Sequence, residues 1–366
     1  MLRVDVAMQV PNAGTHVSID EQMIPFTGAS PARRYVPNKP NPIGLKNFVL
    51  ANPQGLVLDF VVDQGVSPYH PVPDLGVGGL VIAHLCEGLT AGTRVYCDRY
   101  FTGISLVEYM LQEGVYITGT IMKNRIPAVV RQLSNVRELA KRGRGACEMI
   151  VRNDGKIAII TWFDRKPILI ASAAHGIEQL DKCRRWDKRT TSYIEVERPE
   201  IIRQYNSKMG GVDLCDRMLS YYRMKTRTRK WTVRTILHFF DLCIVNSWVQ
   251  YREDCRQLKT ARKDILDSLA LGMDIGEEFL SATVQTDSSD SDAPPPPTRR
   301  RRSKTPPEHR RFSGAKHLPA IDNVKNAVRC KNSGCSKKTK FHCVSCDVHL
   351  CLVADRNCFQ DYHTTA

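Results

Sequence analysis

The sequence predicts a mixed α/β protein that continues into a disordered linker and a small Cys/His-rich C-terminal domain. Short apolar runs of strand and helix character alternate through the first part of the chain. A polar, proline-rich stretch follows, and its composition cannot bury enough apolar area to offset chain entropy. Six of the 13 cysteines then crowd between Cys330 and Cys358. Clustered cysteines of this kind usually indicate a bound metal.

Residues 15–125 show the element order of an RNase H-like mixed sheet: three strands, then helix, strand, helix and strand. In the first strand Val17 and Ile19 alternate with polar residues, as on a half-buried strand. Asn52–Gly55 forms a hairpin turn between the second and third strands. The predicted elements are a strand ending at Asp20, strands over 45–50 and 56–62, a helix over 79–89, a strand over 94–97, a helix over 104–112 and a strand over 116–122.

Residues 126–204 break this order and are predicted as a β-rich insertion domain. Two strands, over 157–162 and 168–171, are joined there by a polar turn. From residue 205 the core resumes, and a helical pattern runs from residue 211 to about 271. An apolar helix face is expected to pack in the core; its members are Ile236, Leu237, Phe240, Cys243, Ile244 and Trp248.

Residues 272–326 are predicted as a disordered, basic and proline-rich linker. Thr286–Asp292 is polar and acidic, Pro294–Pro297 is a proline run, and Arg299–Lys304 is basic. The basic run suits nuclear import or loose nucleic-acid contact, and a solubilising linker is the alternative. Import is favoured, so we expect a nuclear protein.

The overall charge favours a nucleic-acid partner. The formal net charge is +15 and the pI is near 9.3, which suits a polyanion, nucleic acid before membrane. No apolar stretch reaches membrane-spanning length, and the first residues lack the apolar core of a secretory signal. The sequence therefore predicts no membrane partner.

Four aspartates stand where the fold could aim them at one point: Asp20, Asp98, Asp213 and Asp216. The first two end predicted strands. The other two follow Gly210-Gly211 at the start of a helix, and a spacing of three puts them on one face near its positive end. Converging carboxylates repel each other unless cations lie between them, and hard oxygen ligands select Mg²⁺ or Mn²⁺. A metal pair of this kind serves displacement at phosphorus, although each aspartate taken alone is more often a turn or cap residue.

The last segment, residues 327–366, is predicted as a zinc-binding domain. Cys-x2-Cys followed by spaced Cys and His is a strong signal for structural zinc. A segment this short cannot build a self-sufficient core, so metal would supply its folding energy. With an eighth ligand, for which His349 is the candidate, two interleaved tetrahedral sites are complete; with fewer, one site and free thiols remain. The other predicted ligands are Cys330, Cys335, Cys343, Cys346, Cys351, Cys358 and His363.

Five segments resemble motifs of the piggyBac transposase family, and the Cys/His tail lies in the usual place for that family. The likeness extends from about residue 15 to the end, with the motifs in the family's order. The segments are Ser18–Phe26, Arg34–Pro40, Cys97–Thr102, Tyr205–Asp216 and Arg229–Trp231.

The resemblance implies an RNase H-like DDE/D transposase core with an insertion domain. It implies that Asp20, Asp98 and Asp213 form the metal-binding triad and that Asp216 is an additional acid. The reaction would be phosphoryl transfer on double-stranded DNA without a covalent protein intermediate. Water nicks an element end, the freed 3′ hydroxyl attacks the opposite strand to give a hairpin, and the end later joins target DNA at a TTAA site.

Around this site, basic side chains are expected to neutralise DNA phosphates. The candidates are Lys39, Lys46, Arg229 and Lys230. Trp231 is expected either to stack on an unpaired base near the hairpin or to anchor the following helix in the core.

Family members carry a sizeable region ahead of the first acidic motif, and here 19 residues precede Asp20. We therefore expect residues 1–14 to be an N-terminal remnant of a truncated or domesticated protein. The alternative functions are a non-catalytic DNA- or chromatin-binding protein and an RNase H-like nuclease for RNA–DNA hybrids. A homodimer is compatible with the resemblance, and no small-molecule substrate is expected.

Overall fold

The computed structural model describes residues 15–37, 39–63, 72–283 and 317–364. The chain divides into two compact units between Asp287 and Ser288. The predicted N-terminal remnant, the acidic and proline runs and the basic import signal lie outside the described residues. In the described part, no helix combines the length and apolar character that crossing a membrane requires.

The first unit is built on a nine-stranded sheet. Each predicted strand of residues 15–125 is present, and a short additional strand, β2, precedes β3. The nine strands are β1 (His16–Pro25), β2 (Arg33–Tyr35), β3 (Ile43–Ala51), β4 (Val57–Val62), β5 (Arg94–Cys97), β6 (Tyr116–Thr120), β7 (Cys147–Val151), β8 (Ala158–Phe163) and β9 (Pro167–Ser172).

Strand β1 is central in this sheet. It pairs antiparallel with β3 and parallel with β5, and β5 is in turn parallel to β6. The spatial order is β2-β3-β1-β5-β6-β9-β8-β7, with β4 also paired to β3. Both predicted strands of the insertion are confirmed as β8 and β9. The strands β7–β9 of the predicted insertion extend the core sheet, because β9 pairs antiparallel with β6.

Helices cover both faces of the sheet. The predicted helix over 104–112 is confirmed residue for residue as α2. Two 3₁₀ turns, Lys123–Arg125 and Arg262–Asp264, supplement the α-helices. These are α1 (Val77–Leu85), α2 (Ile104–Gln112), α3 (Pro127–Val130), α4 (Val136–Arg142), α5 (Glu200–Lys208), α6 (Gly211–Tyr221), α7 (Trp231–Gln257) and α8 (Ser268–Thr283).

The two faces carry separate apolar cores. Phe48 and Leu50 of β3 pack with α1 and α2, whereas Val49 and Ala51 of the same strand pack with α6 and α7. Because successive side chains of a strand point to opposite faces, β3 is buried on both sides. The same holds for β1, in which Val17 and Ser18 are both fully buried. The expectation of a half-buried first strand is therefore wrong.

The turn after β3 is confirmed. The Asn52 side-chain oxygen accepts hydrogen bonds from the backbone N–H groups of Gln54 and Leu56, each at 3.0 Å. Gly55 has φ +87°, a conformation that favours glycine. Local turn chemistry was therefore readable from four consecutive residues.

Helix α7 buries a different face from the one predicted. Ile236 is 55% exposed and Phe240 is 58% exposed, while His238, Leu242 and Asn246 are buried. The helix is turned so that polar side chains reach the sheet. The Asn246 amide accepts from Val57 N at 3.0 Å and donates to Val57 O at 2.8 Å, like an added ladder partner.

Ordered structure extends further than predicted on both sides of the linker. Helix α8 continues to Thr283, so the disordered segment does not begin at residue 272. A strand at residues 319–321 lies ahead of the predicted domain start at residue 327 and pairs with the strand at 341–343. The C-terminal domain therefore includes residues that composition assigned to the linker.

The second unit, Ser288–Ala366, is described from residue 317 onward. Its apolar core consists largely of cysteines together with Val348, Leu350, Phe359 and Tyr362. The elements of the second unit are β12 (Pro319–Ile321), β13 (Val328–Arg329), β14 (Lys338–Thr339), β15 (Phe341–Cys343), β16 (Val348–His349) and α9 (Cys358–Thr364). The first unit also contains a hairpin outside the large sheet, formed by β10 (Asp181–Asp187) and β11 (Ser192–Arg198).

The contact between α6 and β1 can be tested with two adjacent glycines. A Cβ at Gly211 would lie 2.3 Å from Asn52 O and 2.7 Å from Ser18 Oγ, whereas a Cβ at Gly210 meets nothing within 4 Å. We expect Gly211→Ala to lower the free energy of unfolding by about 1–3 kcal/mol through overpacking. The matched Gly210→Ala should change it by less than about 1 kcal/mol.

Urea unfolding followed by tryptophan fluorescence measures this difference, because all four tryptophans lie in the first unit. Equal unfolding midpoints for the two variants would show that α6 does not approach β1 this closely.

Candidate functional site

Asp20 and Asp98 are brought together by the parallel pairing of β1 with β5. Ile19 lies opposite Cys97 in that pairing, so the two acids occupy the next position on adjacent strands. The Asp20 carboxylate accepts from Glu21 N at 2.8 Å, and the Asp98 carboxylate accepts from Tyr100 N at 2.8 Å. The two acids therefore lie side by side where the parallel pairing of β1 with β5 ends. Asp98 directly follows β5, whereas β1 continues past its predicted end at Asp20 to Pro25.

Burial makes this pair of carboxylates costly to ionise. It raises the pKa of Asp20 to about 7, the charges of Asp98 and Glu21 act in the same direction, and Lys39 opposes them. Burial and Glu21 also raise the pKa of Asp98. A cation next to the pair would favour the ionised forms, because a nearby opposite charge stabilises carboxylates.

Helix α6 presents its two aspartates differently. Asp216 is largely buried and accepts a hydrogen bond of 2.7 Å from Gln22 Nε2. Burial raises the pKa of Asp216 to about 6, against the effects of Gln22, Lys39 and Arg223. Asp213, in the first turn, is exposed. The two side chains therefore differ in environment, although their spacing placed both on one helix face.

Lys39 connects the buried acids. Its Nζ donates to Glu21 O at 2.9 Å, and its charge acts on both Asp20 and Asp216. Among the described residues, sets of three or more metal-ligating atoms within 4.8 Å of one another occur in the second unit and not around these aspartates. The predicted cradle of four carboxylates around divalent ions stays a prediction. An ammonium group and an amide stand among the buried acids.

Gln22 is the polar centre of this arrangement, and no functional role was predicted for it. Its Oε1 accepts from His238 Nε2 at 2.8 Å and from Asn47 Nδ2 at 3.2 Å, while its Nε2 donates to Asp216. Burial lowers the pKa of His238 to about 3, and the charges of Arg223 and Arg234 act in the same direction. His238 is therefore a neutral donor. Gln22 lies two residues after Asp20 on the same strand face, and this position is the sequence signal that could have identified it.

Tyr205 of α5 is a second side chain that sequence reasoning missed. Burial raises the pKa of its hydroxyl, and Cys97, Asp98 and Asp20 act in the same direction. The hydroxyl therefore lies within electrostatic reach of both strand-end acids. It occurs at the start of the motif that contains Asp213 and Asp216, which is the only sequence signal for it.

The predicted DNA-contacting residues separate into two groups. The Lys46 Nζ lies 3.4 Å from Glu21 Oε2 and the side chain is 12% exposed, so its predicted contact with a DNA phosphate stays a prediction. Lys39 faces the acids, as described above. Arg229 and Lys230 are exposed ahead of α7. Trp231, the first residue of α7, is 42% exposed, so the alternative of a core-anchoring tryptophan is wrong.

The second unit holds two four-residue groups with metal-ligating atoms, and each group lies within 4.8 Å. With Zn–S bonds of about 2.3 Å, thiolates at two corners of a tetrahedron lie roughly 3.8 Å apart. The Cys335 and Cys351 sulfurs are 3.9 Å apart, which fits such an ion. The groups alternate along the chain and are Cys330, Cys335, Cys351 and Cys358, and His317, Cys343, Cys346 and His363.

The eighth ligand position is occupied by His317 and not by His349. His317 Nδ1 lies 3.2 Å from Cys346 Sγ. His349 belongs to neither group, because its Nε2 contacts Asp322 Oδ2 at 3.2 Å. His317 was missed because its composition placed it in the predicted linker over 272–326, and the pairing of β12 with β15 brings this segment to the cluster.

The chain matches known transposases in sequence and in fold. A family model described as Transposase IS4 matches residues 6–248. The chain is 29% identical over 359 residues to PiggyBac transposable element-derived protein 3 of Homo sapiens, covering 97% of this chain and 56% of that protein. It is 26% identical over 275 residues to the human PiggyBac transposable element-derived protein 2, covering 74% of this chain and 45% of that protein.

A cryo-EM structure of a piggyBac transposase synaptic complex with hairpin DNA has a similar fold. The TM-score is 0.58 at 22% identity, and the match covers 75% of this chain and 55% of that chain. The chain spans about half the length of the curated relatives it matches.

The role of Gln22 can be tested with Gln22→Met, which keeps the size of the side chain and removes its hydrogen bonds. The buried donors of Asn47 and His238 would then lack their partner, so we expect the free energy of unfolding to fall by about 1–3 kcal/mol. The matched Gln112→Met, at an exposed position near the end of α2, should be neutral within about 0.5 kcal/mol. Urea unfolding measures both, and equal stability of the two variants would contradict the hydrogen-bond network.

Proposed function

We propose a function from one premise: the chain belongs to the piggyBac transposase family. It acts on double-stranded DNA and cleaves and transfers strands by metal-dependent phosphoryl transfer. The observation that carries this proposal is the placement of Asp20 and Asp98 side by side at the pairing of β1 with β5, with the largely buried Asp216 bound to Gln22 of β1.

The sheet supports an RNase H-like core. The order β4-β3-β1-β5-β6, with β1, β5 and β6 parallel to one another, agrees with the predicted succession of three strands, helix, strand, helix and strand. In such a sheet, residues that end neighbouring parallel strands meet at one edge. The chemistry is therefore assigned to the edge that holds Asp20 and Asp98.

The acidic side chains fit a hard divalent cation such as Mg²⁺ or Mn²⁺. Carboxylate oxygens are the ligands that these ions prefer, and buried carboxylates with raised pKa values gain from a bound cation. Asp20 and Asp98 would hold the metal. When bound, the metal lowers the pKa of the attacking water or hydroxyl and stabilises the leaving oxygen.

The third ligand is one of the two acids on α6. The family resemblance assigns Asp213 to the triad and Asp216 to a supporting role. The packing favours Asp216, because its carboxylate is largely buried and is bound by Gln22, two residues after Asp20 in β1, while Asp213 is exposed. Separate substitutions of the two residues distinguish these assignments.

The reaction proposed is the one that the resemblance implies. Water nicks an element end, the 3′ hydroxyl attacks the opposite strand to give a hairpin, and the end later joins target DNA at a TTAA site. Lys39, whose charge acts on Asp20 and Asp216, is proposed to contact a DNA phosphate. Arg229 and Lys230 contact phosphates, and the exposed Trp231 stacks on an unpaired base.

The second unit is proposed as a structural zinc domain with two closed sites. The apolar core of this unit is small and largely made of the ligating cysteines, so bound metal would supply most of its folding energy.

The basic run at Arg299–Lys304 is proposed to direct the protein to the nucleus.

One observation favours the alternative of a non-catalytic DNA- or chromatin-binding protein. Lys39 and Gln22 stand among the buried acids and partly offset their charge. A protein that keeps this internal compensation would retain the fold and the DNA-binding surface without the reaction.

A nicking assay distinguishes the two functions. Duplex DNA carrying element ends is incubated with the full chain and Mg²⁺ or Mn²⁺. We expect the unsubstituted chain to cleave this DNA. Asp98→Asn should lower the cleavage rate by roughly a hundredfold or more, because several kcal/mol of metal-based transition-state stabilisation are lost. Asp216→Asn should have a comparable effect if that acid is the third ligand, and Asp213→Asn if the resemblance is right. Asp274→Asn, at an exposed position on α8, is the matched control.

DNA binding without cleavage by the unsubstituted chain would support the non-catalytic alternative. Faster cleavage of an RNA–DNA hybrid than of duplex DNA would instead indicate a nuclease of the RNase H type.

The zinc assignment predicts two tightly bound zinc ions per chain. We expect His317→Ala to lose one of them to a chelator at concentrations that leave the unsubstituted chain loaded, because a site with three ligands binds more weakly. His349→Ala should keep both. Elemental analysis after chelator competition measures this, and loss of zinc from the His349 variant alone would reverse the assignment of the eighth ligand.

A further inference from the structure

One face of the β10–β11 hairpin packs on the apolar core, and the other face is exposed. Cys183 and Val196 point inward and pack with Ile160 and Trp162 of β8. The indole Nε1 of Trp162 also donates to Glu197 O at 2.9 Å, which fixes β11 to the sheet. The inner face therefore attaches the hairpin to the sheet. Within the described residues, the outer face does not belong to this apolar core.

The outer face carries an exposed aromatic pair. Trp186 and Tyr193 lie directly opposite each other in the strand register. Their ring centroids are 5.2 Å apart in a T-shaped arrangement, and they are 41% and 61% exposed. Two large rings held together in water without a core role are characteristic of a binding surface.

Basic groups surround this pair. The Arg184 guanidinium lies over the Tyr193 ring at 4.9 Å from its centroid, and Lys188 and Arg189 are exposed in the turn. The acids near them are Asp187, which accepts from Arg189 N, and Glu195, which pairs with Lys182. The tip of the hairpin therefore combines positive charge with aromatic rings.

The position of Trp186 is fixed by its backbone. Trp186 O accepts hydrogen bonds from Arg144 at 3.3 Å and from Arg165 at 3.1 Å, and both arginines come from outside the hairpin. A preorganised ring loses little conformational freedom on binding.

We propose that the aromatic pair Trp186–Tyr193 is a stacking platform for unpaired bases of a DNA strand, with the basic tip of the hairpin holding the phosphates. Aromatic rings with nearby arginines bind single strands in this way, at about 1–3 kcal/mol per stacked base. A fully paired duplex offers phosphates but no free base faces, so the charge accounts for duplex binding and the rings add a preference for unpaired DNA. The inference rests on the proposed action on DNA.

The test compares two labelled probes, a short oligothymidine and a blunt duplex, by fluorescence anisotropy with the full chain at fixed salt. For a Trp186→Ala/Tyr193→Ala double variant we expect roughly tenfold weaker binding of the oligothymidine and little change for the duplex. Trp186→Phe/Tyr193→Phe keeps two stacking rings and should retain most of the single-strand affinity. Phe279→Ala, at an exposed aromatic position on α8, is the matched control.

Unchanged oligothymidine binding by the alanine variant would overturn the platform, as would equal losses on both probes, which would indicate contacts to the phosphates alone. Failure of the unsubstituted chain to bind the oligothymidine while it binds the duplex would overturn the platform and leave the proposed function intact. Failure to bind the duplex would count against the proposed function itself.

Discussion

The cost of burying carboxylates is the constraint on which the rest of the structure depends. Asp20, Asp98 and Asp216 lie in surroundings that raise their pKa values, so each needs a partner that stabilises charge. The chain supplies an ammonium group from Lys39 and an amide from Gln22. A divalent cation would do the same with greater charge. The polar contacts of these acids and the proposed chemistry therefore follow from one electrostatic requirement.

The side chains that meet this requirement also attach helices to the sheet. Gln22 joins β1 to α6 through Asp216 and to α7 through His238, and Asn246 joins α7 to the backbone of Val57. Buried polar contacts of this kind are directional, unlike apolar packing, so they fix the rotation of each helix. This explains why α7 turns Phe240 toward solvent. The same contacts would be needed by a catalyst and by a DNA-binding scaffold, which is why geometry alone supports both and kinetics must decide between them.

The second unit differs from the first in how its fold is stabilised. Its described residues form short strands and one short helix, and the core is made largely of the cysteines themselves. Two interleaved groups of ligands tie distant parts of this segment together, so that a metal ion could replace the apolar core that a longer domain would build.

The β10–β11 hairpin of the first unit carries an exposed aromatic pair, Trp186 and Tyr193, on a face opposite to the one that packs on the core.

The sequence by itself determined the order of the elements, the turn at Asn52–Gly55, the bounds of α2 and the placement of Asp20 beside Asp98. These features depend on local periodicity, on turn chemistry and on the alignment of neighbouring parallel strands, although β1 continues past Asp20 to Pro25. Only the tertiary structure decided that Lys39 faces the acids, that α7 is rotated and that His317 completes the second metal-ligating group. Those outcomes depend on pairings between residues far apart in the chain, and composition and spacing carry no information about which distant polar groups satisfy each other once water is excluded.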